Sequence, residues 1–273
     1  MQALAERLTD VFGGRTLRST NPLGFSALKT VSPAPDELVG VELHAVRRRG
    51  KYLVFEFADG RRVLVHLSQA GRVDIESPAK TTKPRGSVVR FVFDDGRGLL
   101  VREHGTQRKA GWWVLGPGDD GPLATLGPEP FDPAFADLVR HDDSTRHLHT
   151  LLRDQHWGSG IGRGYADDIL NRAHLSPFAS LRSLDDEQRE RLLDAIRSVL
   201  TEGLESERTR TGGLSEGKLG GAFRVHNGAG GPCPNCGEAL LRVSFDSHEV
   251  VYCKRCQTNG RTLADRRLSR LLR

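Results

Sequence analysis

The sequence predicts an α+β multidomain chain: an N-terminal antiparallel β-sandwich flanked by helices, then a C-terminal helical domain carrying a β-hairpin zinc finger. Three observations predict it. Short strand-like runs joined by close turns fill the first part of the chain. After a Gly/Pro/Asp-rich stretch at 116–130 the apolar spacing becomes helical. The only four cysteines of the 273-residue chain then follow near its end, as C-x2-C-x16-C-x2-C.

The first element is a helix over residues 2–12, where Leu4, Leu8, Val11 and Phe12 share a face and Gly13-Gly14 ends it. Strands are expected at Val41–Val46, Tyr52–Phe57, Val63–Leu67, Val88–Phe93, Leu99–Arg102 and Trp112–Leu115. Turn residues such as Ala58-Asp59-Gly60 and Asp94-Asp95-Gly96 connect them, as in a sandwich or barrel. Later, Leu192, Leu193, Ile196, Val199 and Leu200 mark an amphipathic helix, with Ser183 and Asp186 as its expected N-terminal cap. Residues 205–222 are polar and Gly-rich, which predicts a mobile loop.

Hydrophobic residues at 37% and charged residues at 27% describe a globular chain, not a disordered one. The net charge of +5 suits a polyanionic partner. No run is long and apolar enough to span a bilayer, and the charged opening Met1–Leu8 does not read as a signal peptide. A cytoplasmic protein without a membrane partner is expected. In a reducing compartment the paired cysteines read as metal ligands. Cys233, Cys236, Cys253 and Cys256 are expected to bind one structural zinc ion, since four protein thiolates close the tetrahedron and leave no open position. Ala239–Phe245 and Glu249–Tyr252, around a turn at Asp246-Ser247-His248, would form the finger's hairpin. Gly160-Ile161-Gly162-Arg163-Gly164 is a compact glycine turn before a helix, where backbone N–H groups can meet a phosphate; the same pattern also serves as an ordinary helix–helix turn.

Several of these segments together resemble the formamidopyrimidine-DNA glycosylase/endonuclease VIII family. Leu151-Leu152-Arg153-Asp154-Gln155, Gly160-Ile161-Gly162 and Tyr165-Ala166-Asp167 are similar to its helix–two-turn–helix signature, "LLDQ…GIGNxYADE". Leu126-Gly127-Pro128-Glu129-Pro130 resembles its interdomain "LGPEP". Arg48-Arg49-Gly50-Lys51-Tyr52-Leu53 and His66-Leu67-Ser68-Gln69-Ala70-Gly71-Arg72 resemble "RRGKYL…HLGMTG", and the finger follows in the family's order.

The resemblance implies base-excision DNA repair. Such enzymes remove oxidised bases from double-stranded DNA and cleave the abasic site, taking the base out of the stack to reach it. It implies a domain at 1–118, a helix–two-turn–helix domain at 131–222, the zinc finger at 223–260 and a basic tail at 261–273. Lys51 matches a catalytic lysine that contacts the phosphate beside the lesion and assists proton transfer. Gln69 stands where the family inserts a side chain into the gap left by the flipped base. Arg108 stands in the region of a second gap-filling contact, although Thr106–Lys109 departs from the usual "DPRRFG". Gly162 and Arg163, the latter replacing an asparagine, and His149, replacing a lysine, would contact DNA phosphates. His248 falls near the position of a finger arginine tied to δ-elimination, so the expected lyase stops after β-elimination. Residues 205–222 fall where the family places its lesion-capping loop. A monomer with no nucleotide cofactor, associated with the nucleoid when bound to DNA, is expected.

The family opens "PELPEVE", with an N-terminal proline as the Schiff-base nucleophile and a glutamate beside it; this sequence opens Met1-Gln2. Two readings follow. The natural start lies upstream and supplies Pro-Glu, or the protein is a catalytically impaired binder of damaged DNA. An unrelated zinc-ribbon scaffold would make every other motif a coincidence.

Overall fold

The computed structural model describes residues 1–105, 108–210, 223–245 and 248–264. The chain divides into two compact units. The first is Met1–Thr125 with a short stretch from Arg208; the second is Leu126–Glu207 with the C-terminal segment. The expected loop at 205–222 lies largely outside the described residues, and so does the basic tail beyond Ala264.

The first unit begins with α1 (Gln2–Phe12), which buries Ala3, Leu4, Ala5, Leu8 and Phe12. Eight antiparallel strands follow: β1 (Arg15–Pro22), β2 (Glu42–Arg49), β3 (Tyr52–Phe57), β4 (Arg62–His66), β5 (Gly71–Glu76), β6 (Ser87–Phe93), β7 (Gly98–Glu103) and β8 (Gly111–Leu115). Their order is β5-β7-β6-β1-β2-β3-β4-β8. β1 makes the sandwich. It pairs with β2 at Arg15 and Thr16, then shifts to β6 from Leu17 onward. One strand thereby joins two ladders that close on a shared core of Leu17, Leu43, Phe55, Val65, Phe91 and Trp112. Thr9 ties the helix to this layer, its Oγ1 accepting from Val46 N–H at 2.8 Å. Phe12 stacks on Phe93 with centroids 4.5 Å apart.

β1 and β5 are not among the strands the sequence predicts. β1 reads RTLRSTNP and buries little besides Leu17 and Thr20, so alternation is faint. β5 opens on a glycine and hides Glu76, whose charge masks the pattern; buried Arg90 neutralises it at 2.8 Å.

The second unit holds α2 (Pro133–His141), α3 (Leu148–Arg153), α4 (Arg163–Arg172) and α5 (Asp186–Thr209), then β9 (Leu241–Phe245), β10 (His248–Tyr252) and α6 (Lys254–Thr258). Leu148, Leu152, Ile161, Ile169, Leu192 and Ile196 are part of its core. The cap of α5 is Asp185 rather than Ser183. Asp185 Oδ1 accepts from Gln188 N–H at 2.8 Å, and Gln188 Oε1 accepts from Asp185 N–H at 3.1 Å, a reciprocal capping box. Ser183 instead bonds back to Ser180 in a 3-10 turn. α5 continues to Thr209, beyond the expected start of the loop, and the finger belongs to the same compact unit as these helices. Among the described residues no helix is long and apolar enough to cross a membrane.

Candidate nucleic-acid interface and zinc centre

The four cysteine Sγ atoms lie within 4.8 Å of one another. Cys236 and Cys253 Sγ are 3.6 Å apart, and Cys233 and Cys256 Sγ are 4.0 Å apart. A tetrahedron with zinc–sulfur bonds of about 2.3 Å has edges of about 3.8 Å, so the residues fit zinc. The charges agree. Burial pushes the Cys233 thiol up, but N–H groups of Asn235 and Cys236 and the Asn171 amide outweigh it and hold it at about 7. Burial, then the neighbouring Cys236 and Cys253, push Cys256 up. Four thiols this close ionise together only around a cation.

The finger is bonded to α4 through amide side chains. Gln257 Nε2 donates to Leu175 O at 2.9 Å, while its Oε1 accepts from Cys253 N–H at 2.8 Å and from Asn171 Nδ2 at 3.1 Å. Asn235 Nδ2 donates to Asn171 O and Oδ1, both at 3.1 Å. His248, expected in the hairpin turn, is instead the first residue of β10, paired with Phe245 and half-buried.

Between α3 and α4 the chain makes its double turn around one side chain. Gln155 Nε2 donates to Arg153 O at 2.8 Å and Ile161 O at 3.1 Å, and its Oε1 accepts from Gly160 N–H at 2.9 Å. Gly160 has φ 96°, a conformation that requires glycine. The turn delivers Gly162 to the N-cap of α4 and Arg163 to its first position, exposed. Nothing lies within 4 Å of where a Gly162 Cβ would be, so the backbone there is open to approach.

The buried side of α4 carries two adjacent carboxylates. Asp168 accepts from the N–H groups of Arg224 at 2.8 Å, Val225 at 2.9 Å and His226 at 3.2 Å. Burial nevertheless raises its pKa above the usual aspartate range. Asp167 Oδ2 meets His226 Nδ1 at 2.6 Å, and Oδ1 lies 3.1 Å from His149 Nε2 in an orientation too poor for a hydrogen bond. His149 is therefore not the exposed phosphate contact the sequence suggests. It is 2% exposed and faces a buried carboxylate, because its position on α3 points into the unit.

In the first unit, Lys51 occupies the two-residue turn between paired Arg49 and Tyr52, with Gly50 supplying φ 56°. Sequence reasoning gives His66 no role, yet the register sets it opposite Tyr52, next to Lys51. Burial, and then the Lys51 charge, lower the His66 pKa, so its imidazole is neutral at physiological pH. In the sequence His66 is only a histidine at the head of the His66–Arg72 segment; the pairing register brings it to Lys51. Gln69 is exposed at the turn between β4 and β5, after Ser68 at φ 55°. Arg108 is exposed, and its Nη1 donates to Glu103 O at 3.2 Å.

Residues 1–113 match the formamidopyrimidine-DNA glycosylase N-terminal domain, residues 126–213 its H2TH domain, and residues 230–259 the zinc finger found in FPG and IleRS. The formamidopyrimidine-DNA glycosylase of Symbiobacterium thermophilum is 34% identical over 276 residues, covering 96% of this chain and 86% of that protein. The chain belongs to the formamidopyrimidine-DNA glycosylase family. The namesake from Listeria innocua is 33% identical, covering 83% of this chain and 87% of that protein. Among solved structures, the MutM (Fpg) protein of Thermus thermophilus superposes with TM-score 0.80 at 30% identity, covering 93% of this chain and 96% of that one. A Lactococcus lactis Fpg complex with abasic-site DNA shares the fold, with TM-score 0.81 at 22% identity over 94% of this chain and 97% of that one.

Proposed function

We propose that this protein is a DNA glycosylase and abasic-site lyase of base-excision repair, acting on double-stranded DNA that carries oxidised bases. The observation that carries the reading is the family's glycine double turn, built around Gln155 and opening α4 on Gly162 and exposed Arg163. Backbone N–H groups at a helix start, with a guanidinium beside them, hold a phosphate without reading sequence. Zinc supports this surface by fixing the finger, and His248 lends a hydrogen-bonding contact.

In the first unit the Lys51 ammonium, beside neutral His66, neutralises the phosphate next to the lesion and passes protons to and from the sugar. Gln69 and Arg108, exposed on neighbouring turns, fill the gap that the flipped base leaves. Lyase chemistry needs an amine that condenses with the C1′ aldehyde of the abasic sugar, releasing water, before β-elimination expels the 3′ phosphate. The domain scheme of a sandwich, a helix–two-turn–helix, a finger and a basic tail serves one monomer working without a nucleotide cofactor, in the cytoplasm and on the nucleoid.

Borohydride trapping on an abasic-site duplex tests the activity. The chain is compared with a version extended upstream by Pro-Glu-Leu-Pro-Glu-Val. A covalent adduct is expected with the extended chain and at most a trace with Met1 at the N-terminus. If neither traps while both bind the duplex, the lyase reading fails, and the reading as a binder of damaged DNA replaces it.

A further inference from the structure

Glu103, the last residue of β7, is 4% exposed. A carboxylate in such a place is costly unless its acceptors are fully used, and an apolar residue would pack there at less cost. Its bonds go to backbone. Oε1 accepts from Lys109 N–H at 3.0 Å, and both oxygens lie 3.2 Å from Ala110 N. These N–H groups belong to the chain returning into β8, immediately after Arg108. The main chain of Glu103 is used as well. Its carbonyl accepts from Arg108 Nη1, and its N–H donates to Gly86 O at 2.8 Å.

Across the ladder, Glu103 pairs with Gly71, two residues after Gln69. Next to it, His104 N–H donates to Ala70 O at 3.0 Å. The turn is tight there: Gly71 N–H donates to Leu67 O at 2.8 Å, and a Cβ on Gly71 would lie 2.2 Å from that oxygen. Gly86 is held as closely, since its Cβ would be 2.1 Å from Glu103 O and 2.8 Å from Arg108 Nη1. Glu103 thus stands opposite the strand start that follows Gln69, next to the His104 bond to Ala70, and is itself bonded to the segment that carries Arg108.

We infer that Glu103 is a positioning residue that sets Gln69 and Arg108 as one unit, so that the base facing the emptied site is read by a prearranged pair. The inference rests on the gap-filling reading of those two residues given above. Prearrangement removes the ordering cost of two long side chains at the moment of insertion, which turns a weak contact into a selective one. The ligand chemistry is the exposed hydrogen-bonding edge of an unpaired base, met by a guanidinium and a carboxamide.

The test uses the full zinc-loaded chain and 21-mer duplexes of about two helical turns bearing a tetrahydrofuran abasic analogue opposite dA, dC, dG or dT, with affinities from fluorescence anisotropy. The wild type is expected to spread about tenfold in Kd across the four opposite bases. Glu103→Ala should shrink that spread to within about twofold, while affinity averaged over the four changes less, because phosphate contacts dominate it. Glu103→Gln, which keeps one acceptor oxygen, should fall between them. Arg108→Ala should shrink the spread equally, and Glu103→Ala should add nothing to it, as expected of two residues acting through one contact. Where Glu103→Ala does not fold, Glu103→Gln decides. A spread unchanged in the Gln and Ala variants overturns the inference alone, as does a wild type without spread or a double variant whose losses multiply. A wild type that binds these duplexes no better than undamaged DNA overturns the functional reading, and the inference with it.

Discussion

Replacing Asp168 with alanine should loosen the segment 224–226 while leaving the first unit unchanged. The magnitude follows from the three N–H groups that Asp168 accepts. Val225 is 1% exposed, so its N–H at 2.9 Å would stay buried without a partner, at a cost of about 1–3 kcal/mol. The N–H groups of Arg224 and His226 belong to partly exposed residues and regain water, losing about 0.5 kcal/mol each. The total is about 2–4 kcal/mol, or roughly 30- to 1,000-fold in local opening. Relief of burying a charge trims this only partly, since burial has raised the Asp168 pKa without removing its three donors. Hydrogen exchange read by mass spectrometry on zinc-loaded protein measures the opening. Peptides spanning 223–228 should lose protection by that factor, while peptides from β2 and β3 keep theirs. Asp168→Asn retains one acceptor and should lose about tenfold. Protection at 224–226 within threefold of wild type in Asp168→Ala would refute the claim that this carboxylate holds the segment.

Three further outcomes are expected. The His66 imidazole, followed by NMR, should titrate below 6.5, and Lys51→Gln should move its midpoint part of the way up, because burial is the larger cause. Its folded-state pKa is depressed, so its contribution to stability is present above the unfolded value and lost as pH falls from about 6.5 toward the folded one. Elemental analysis should find one zinc per chain, and Cys253→Ala should abolish it, exposing the amides of β9 and β10 to exchange; two metals, or retained zinc, would sink the assignment. Arg163→Ala should weaken duplex binding about equally for all sequences and reduce the slope of log Kd against log salt by about 1; an unchanged slope would mean that Arg163 meets no phosphate.

Much of the architecture was legible because it is local. The zinc ligands stand in two short pairs whose chemistry needs no distant partner. The helix over residues 2–12, the hairpin at Lys51 and the glycine double turn likewise show in adjacent residues. What was hidden depends on distance in sequence. Asp168 looks like one more acidic residue on a helix, and only the fold brings it the N–H groups of residues 56 to 58 positions later. His149 reads as a cation for DNA until the packing of α3 turns it inward toward Asp167. β1 was missed because a strand divided between two ladders buries few residues on either side. Asp185 caps α5 in place of Ser183, because the chain between them is taken up by a 3-10 turn that the apolar spacing does not reveal.

The amide lattice of Asn171, Asn235 and Gln257 bears on how freely this finger could be exchanged among proteins. The kind of finger that residues 230–259 match is found in IleRS as well as in FPG, and in isolation looks like a portable cassette. Here its last helix reaches out through Gln257 to the carbonyl of Leu175, and its first knuckle through Asn235 to Asn171. A transplanted finger with other residues at those two positions would still fold around its metal, yet would leave Asn171 and the end of α4 facing unmatched groups. Recombination at this border must therefore carry the two amides along with the cysteines, and the heritable module is larger than the metal-binding motif.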